Sequence, residues 1–389
     1  MKRNRLGRRG GLPRDAEQLL WLASGLAESS SRAEDHFWDQ RLAAAVDGLL
    51  RAEDEDTLNT ALDHLSSTNA AAYDELADMI ESRAEGALTS DDPHDVLLIA
   101  APVMAWSRYR IPSATIPAAA LANLRVQLKA HVLAKDVKLA LADYLFSPDQ
   151  LPQGYCATAD FASHLARSAA TDADLRIKTD NLPETAQFLS DTRYILGAVV
   201  VPKGAPIFRW QEEDCTRDQA FEQWRAQGAA CIAPLLTGCA TEVVLPNAYF
   251  AASREADKAS RPYSIQASVA FLSTTLDAPA TRLRAVVAPF FERQVEEFRI
   301  GFTLRNSNDV VHGVVWPLLG AEGETSETLG EIEATLRACG ITDIQVLDNE
   351  FPMEYCDDCG APMYPSPEGE AVHAELPEEQ AEQMPKHLH

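Results

Sequence analysis

LGAVVVPKG, Leu196 to Gly204, and HGVVWPLLG, His312 to Gly320, are the stretches on which the fold reading turns. Each is an apolar run with an early glycine and a late proline. The first belongs to YILGAVVV, Tyr194 to Val201, which has strand length, is rich in β-branched residues and is ended by Pro202. Downstream of the two lie WRAQGAACIAPLL and LRACGITDIQVLD. Both read as the end of a helix, a glycine suited to the left-handed C-cap, and a strand. The offset is 112 residues between Gly228 and Gly340 and about 116 between the strands. That near-agreement predicts two copies of a β-α-β or split β-α-β unit, ferredoxin-like in outline, although helix-Gly-strand grammar is common enough to recur by chance. ACIAPLLT, EVVLP, SIQASVAFLS, LRAVVAPFF, EEFRIGFTL, VVHGVVWPLL and ITDIQVLDN are the further strand candidates. Helices are expected at about 217–227 and 326–338.

Toward the N-terminus, residues 13 to about 148 read as helical. Leu19, Leu22 and Leu26, then Trp38, Leu42, Val46 and Leu49, then Leu58, Leu62 and Leu65, then Tyr73, Leu76 and Ile80 keep helical spacing. Short polar joints between them suit helical hairpins. VLLIAAPVMAW, within 95–108, and the stretch 117–145 are also read as helices. The expected class is therefore α+β. Residues 1–12 form a flexible basic arm, 13–150 a helical domain, 151–352 an α/β domain and 353–389 a short zinc-knuckle-like tail.

The 389 residues are 46% hydrophobic and 24% charged, with a formal net charge of -25. The charge is uneven. Five basic residues fall in the first eleven, while residues 321–389 hold 17 acidic and 2 basic. So acidic a body disfavours nucleic-acid binding by phosphate neutralisation. No run of 18 apolar residues exists to span a membrane. Seven dispersed cysteines are not a disulfide scaffold, and no secretory leader follows the basic start. A cytoplasmic location is expected. The serine-hydrolase, P-loop, zinc-protease and dinucleotide motifs are absent.

The sharpest motif is EYCDDCGAPMYPSPEGEAVHAELP, Glu354 to Pro377. Cys356 and Cys359 have the spacing that lets two thiolates reach one zinc, and Gly360 permits the tight turn. With no second CxxC, His373, fourteen residues on, is the nearest third ligand. Cys339, His387 and His389 are candidates for the fourth, or a second chain supplies it and the site becomes an oligomer clasp. A stretch this rich in proline and glycine has little core of its own, so a metal gives it a reason to fold. The acidic flanks should raise both thiol pKa values, against a redox dithiol.

Arg108 and Arg110, in WSRYRIPSATIP, are a basic pair in an acidic protein and mark a candidate anion site. They are placed at a helix-loop-helix junction, near a pocket expected between the helical and α/β domains. Cys156 and His164 share an expected helix, but eight residues put them about 12 Å apart, too far for a nucleophile and its base. His312, in an apolar strand, is expected to be a buried, hydrogen-bonded histidine.

WSRYRIPS, HGVVWPLLG and YCDDCGAPMYPSPEGE together resemble an uncharacterised family of proteobacterial proteins of about this length, a domain of unknown function, over about residues 13 to 380. The resemblance implies a bacterial cytoplasmic protein and brings no activity, substrate or catalytic residue. The function expected from the residues is a self-associating structural or protein-interaction module with a structural zinc knuckle. The alternative is an enzyme or small-anion binder with its pocket near Arg108 and Arg110.

Overall fold

A computed structural model describes residues 12–86, 93–320 and 325–377. Residues 1–11 of the expected basic arm at 1–12, and His387 and His389, lie outside them. Four helices open the chain: α1 (Arg14–Ala27), α2 (Arg32–Arg51), α3 (Glu55–Thr68) and α4 (Ala70–Ala84). Ser31, Asp54 and Asn69 accept a backbone N–H three residues on and start α2, α3 and α4. Leu19, Leu22, Leu42, Val46, Leu58, Leu62, Leu76 and Ile80 meet in one core. Inside it Arg83 grips the buried Asp47 carboxylate with two bonds of 2.6 and 2.7 Å.

The helical reading then fails. Residues 94–106 are β1 (His94–Trp106), a strand. The stretch 117–145 is one helix, α5 (Ala118–His131), followed by β2 (Lys138–Phe146). Both strands are buried on two faces, so their apolar runs carry no period of two to betray them. They join β3 (Ser190–Pro202), β4 (Ala240–Val243) and β5 (Asn247–Ala248) in an antiparallel sheet of order β2-β3-β1-β4, with β5 also on β1. YILGAVVV is thus a central strand, matched to β1 from His94–Pro202 to Trp106–Ser190.

One face of this sheet packs Ile99, Val103 and Val199 against Leu124 and Leu128 of α5, Trp224 and Ile232. The other packs Leu98, Leu196 and Ala198 against α6 (Tyr155–Ala170) and the first half of α9 (Tyr249–Thr275). Trp224 and Ile232 belong to a run made of α7 (Arg217–Gln223), a π turn and α8 (Ala229–Ile232). ACIAPLLT is therefore not a strand. Ile232 and Leu236 reach the same core one turn apart, and the chain stays helical through Leu235.

SIQASVAFLS, expected as a strand, is the second half of α9, with Pro262 inside the helix. Ile265, Val269 and Leu272, at i, i+4 and i+7, pack on the second sheet. That sheet contains β6 (Leu283–Phe291), β7 (Val295–Leu304) and β8 (Val310–Pro317), successive and antiparallel. After β8, α10 (Thr325–Ala338) crosses back to β9 (Asp343–Val346), and β9 and β10 (Phe351–Pro352) pair in parallel along the free edge of β6.

The expected duplication diverges after its strands. Gly340 has the left-handed φ of +90, but Gly228 has φ -66 within a continuing helix. The sheet position differs too: β3 pairs on both sides, whereas β8 pairs with β7 alone among the described residues. α9 and α10 cover one face of the second sheet with Phe298, Ile300, Phe302 and Trp316 between. The C-terminal tail covers the other.

Candidate metal centre

The tail lies on that outer face because two glycines open it. Gly301 on β7 and Gly313 on β8 are directly paired across the strands. A Cβ on Gly313 would run into the Tyr364 ring, and one on Gly301 into the Pro365 carbonyl oxygen. Tyr364 and Pro365 form β11, which pairs with β12 (Ala371–Val372) as a small hairpin. Tyr364 is fully buried beside Val310 and Ala374.

Arg299, two residues before Gly301, is also fully buried. Its Nη1 donates to the Glu354 and Met363 carbonyls at 2.6 and 2.8 Å, and its Nε to Glu297 at 2.6 Å. The guanidinium lies 4.2 Å over the Phe290 ring. Burying a charge costs several kcal/mol unless it is paired and bonded. Here the carboxylate neutralises it and the two carbonyls use its donors. Those carbonyls bracket the cysteine loop, so the sheet fixes both ends of the knuckle.

The loop itself is built by its backbone. Cys356 N–H donates to the Ala361 carbonyl, and Gly360 N–H to the Cys356 carbonyl, both at 2.8 Å. Gly360 takes φ +73, the conformation its position demanded. Tyr355 bridges Pro362. β12 then delivers His373 to the same place. One ligand atom each of Cys356, Cys359 and His373 lies within 4.8 Å of the others, and Cys359 Sγ is 3.2 Å from His373 Nε2. A tetrahedral zinc with bonds of about 2.0–2.3 Å sets thiolate and imidazole ligand atoms about 3.5–3.8 Å apart, and the 3.2 Å contact is already near that spacing. Glu375 lies 3.4 Å from His373 Nδ1, on the far side of the ring, as an orienting carboxylate does in metal sites. The cluster can hold a metal ion.

Two expectations about it need correction. The acidic flanks do not decide the Cys356 thiol. The backbone N–H groups of Asp358 and Cys359 hold it below the usual thiol range, outweighing the nearby Asp358 charge. They point at the sulfur because the turn is tight. Cys339 is not brought to the site. It ends α10 and packs in the core on the opposite face of the sheet, where burial raises its pKa. Among the described residues the cluster has three members.

Arg108 and Arg110 follow β1 and precede α5, so the junction is strand-loop-helix. Arg110 lines a cleft of about 10 Å³ with Ile111, Thr185 to Phe188 and Arg193, roughly the room of one water. No residue of α1–α4 is among those that line it, and neither is Arg108. Cys156 starts α6, but Glu55 accepts the N–H groups of Tyr155 and Cys156 at 2.9 and 2.8 Å. Burial first, and then that carboxylate, push the thiol up to about 12. His312 is buried with Nε2 3.0 Å from the Ser268 hydroxyl of α9, as expected.

Arg299 and the glycine pair escaped sequence reading. The signal available in β7 was Arg299 and Gly301, two apart, within the run FRIGF.

No helix among the described residues is long and apolar enough to cross a membrane. No curated protein and no solved structure matches the chain. A family profile does, over residues 4–387, and the chain therefore belongs to the family described as Protein of unknown function (DUF2863).

Proposed function

We propose that Cys356, Cys359 and His373 hold a structural zinc ion, and that the protein is a self-associating or partner-binding module rather than a catalyst. The observation that carries the metal half is the convergence of two thiols and an imidazole within 4.8 Å. Sulfur and imidazole suit zinc better than the oxygen-seeking ions. The tail has few apolar residues, and Ala361, Tyr364 and Ala374 are the ones it buries most deeply. A metal supplies the missing cross-link. The self-association half rests on the ligand count: a closed tetrahedral site takes four, and a second chain is one source of the fourth. Water is the other.

Metal analysis of untagged protein purified without chelator tests the first half. About one zinc per chain is expected, falling to background in Cys356→Ser/Cys359→Ser. Stoichiometric absence of zinc overturns it. Light scattering of the zinc-bound protein tests the second half separately, and a strict monomer at micromolar concentration overturns it while leaving the metal reading intact.

A further inference from the structure

Trp21 on α1 and Phe37 on α2 are 59% and 42% exposed. Trp38 joins them, its ring centroid 5.0 Å from each in edge-to-face contact. Gly25 makes the ladder fit, since a Cβ there would lie 2.7 Å from the Trp38 indole. An arginine already uses one of these rings: the Arg41 guanidinium sits 3.6 Å over Phe37. The chemistry of the face is thus displayed within the chain itself.

The surroundings are acidic. Residues 14–84 carry sixteen carboxylates against five arginines and no lysine. Asp35, one turn before Trp38 on α2, borders that ring, and Asp39 follows Asp35 at i+4. They act on α4 as well: the Glu75 carboxyl is raised by burial and then by Asp78, Asp35, Asp74 and Asp39. Glu17 lies one turn before Trp21 on α1. Flat rings bordered by carboxylates match a planar cation, which stacks on one and pairs with the other. Arginine does both better than the more strongly hydrated lysine.

The sequence carries such a segment. Residues 1–11 contain Lys2, Arg3, Arg5, Arg8 and Arg9, and they lie outside the described residues. α1 begins at Arg14, and Trp21 is about 10 Å further along its axis. Eleven extended residues reach about 35 Å, which is span enough. We infer that the Trp21–Trp38–Phe37 ladder and its carboxylate border are the docking face for the arginine-rich segment 1–11. This does not depend on the metal cluster.

The test uses the full chain with Lys2, Arg3, Arg5, Arg8 and Arg9 replaced by glutamine, which vacates the face, and a labelled synthetic peptide of residues 1–11. Anisotropy should show saturable binding that weakens as salt rises. Trp21→Ala, Phe37→Ala and Glu17→Gln/Asp35→Asn should each weaken it about tenfold or more. Trp21 and Phe37 are exposed, so circular dichroism should confirm an intact bundle. Glu327→Gln/Glu331→Gln, on the equally acidic and exposed face of α10, should leave binding unchanged. Absence of saturable binding overturns the inference. So does equal weakening by the α10 pair, which would mark diffuse attraction to an acidic protein.

Discussion

Gly313 on β8 lies under the ring of Tyr364, at the point where any side chain would displace that ring. The contact joins two segments about fifty residues apart, and it works because one of them has no Cβ. Gly313→Ala should therefore cost about 1–3 kcal/mol through overpacking. It should also loosen the tail. Thermal denaturation reads the first effect, and the rate of Cys359 alkylation reads the second. An unchanged melting temperature with unchanged alkylation would show that the ring does not need the space.

Arg299 should be far less replaceable than a surface arginine. Arg299→Ala leaves Glu297 without its cation and the Glu354 and Met363 carbonyls without their donor. Removing one partner of a buried pair costs about 3–5 kcal/mol. Arg299→Lys should recover little, because one ammonium lacks the fork that spans all three acceptors. Urea denaturation gives the comparison, and a lysine variant as stable as the parent would refute it.

Glu375 should tune the metal site through His373 rather than by binding metal. Partners of ligating histidines are worth about 10–100-fold in affinity. Glu375 is largely exposed, so the low end applies, and Glu375→Gln should weaken zinc about tenfold with the stoichiometry kept. Competition against a chromogenic chelator measures this. A complete loss of the site would instead make Glu375 a ligand.

Stability should fall with rising pH at one identifiable carboxyl. Burial raises Glu85 from 4.5 to about 7, against the opposing bond from Phe250 N–H. Between those values the folded chain binds more protons than the unfolded one, so raising the pH removes stability through that window. The loss is at most about 3 kcal/mol and is complete above pH 7. Glu85→Gln should flatten this part of the profile and be the more stable form at pH 8. Parallel denaturation curves for the two at pH 4.5 and 8 decide the matter, and identical differences at both would contradict the assignment.

The four N-terminal helices and α10 were legible because each shows a solvent face and a buried face, and β6, β7 and β8 because they are short runs rich in β-branched and aromatic residues. β1 and β2 were not, since a strand sandwiched between helix layers is apolar throughout. SIQASVAFLS misled for another reason: ten residues of mixed apolar and β-branched character suit a strand as well as a helix turn, and α9 continues through Pro262 into them. At the site, the cysteine spacing and His373 could be read from the tail alone. What places them could not, because Arg299, Gly301 and Gly313 act on backbone atoms and ring faces far along the chain, and those leave no periodic trace.

α9 has a consequence for the order of synthesis. Its first half packs on strands already made, β1 to β3, while Ile265, Val269 and Leu272 need β6 to β8. Those strands end at Pro317, about forty residues after α9 does. At about 5–20 residues per second the growing chain leaves that greasy stripe bare for several seconds. The nascent protein is then a sticky intermediate, and a chaperone has its clearest reason to bind there.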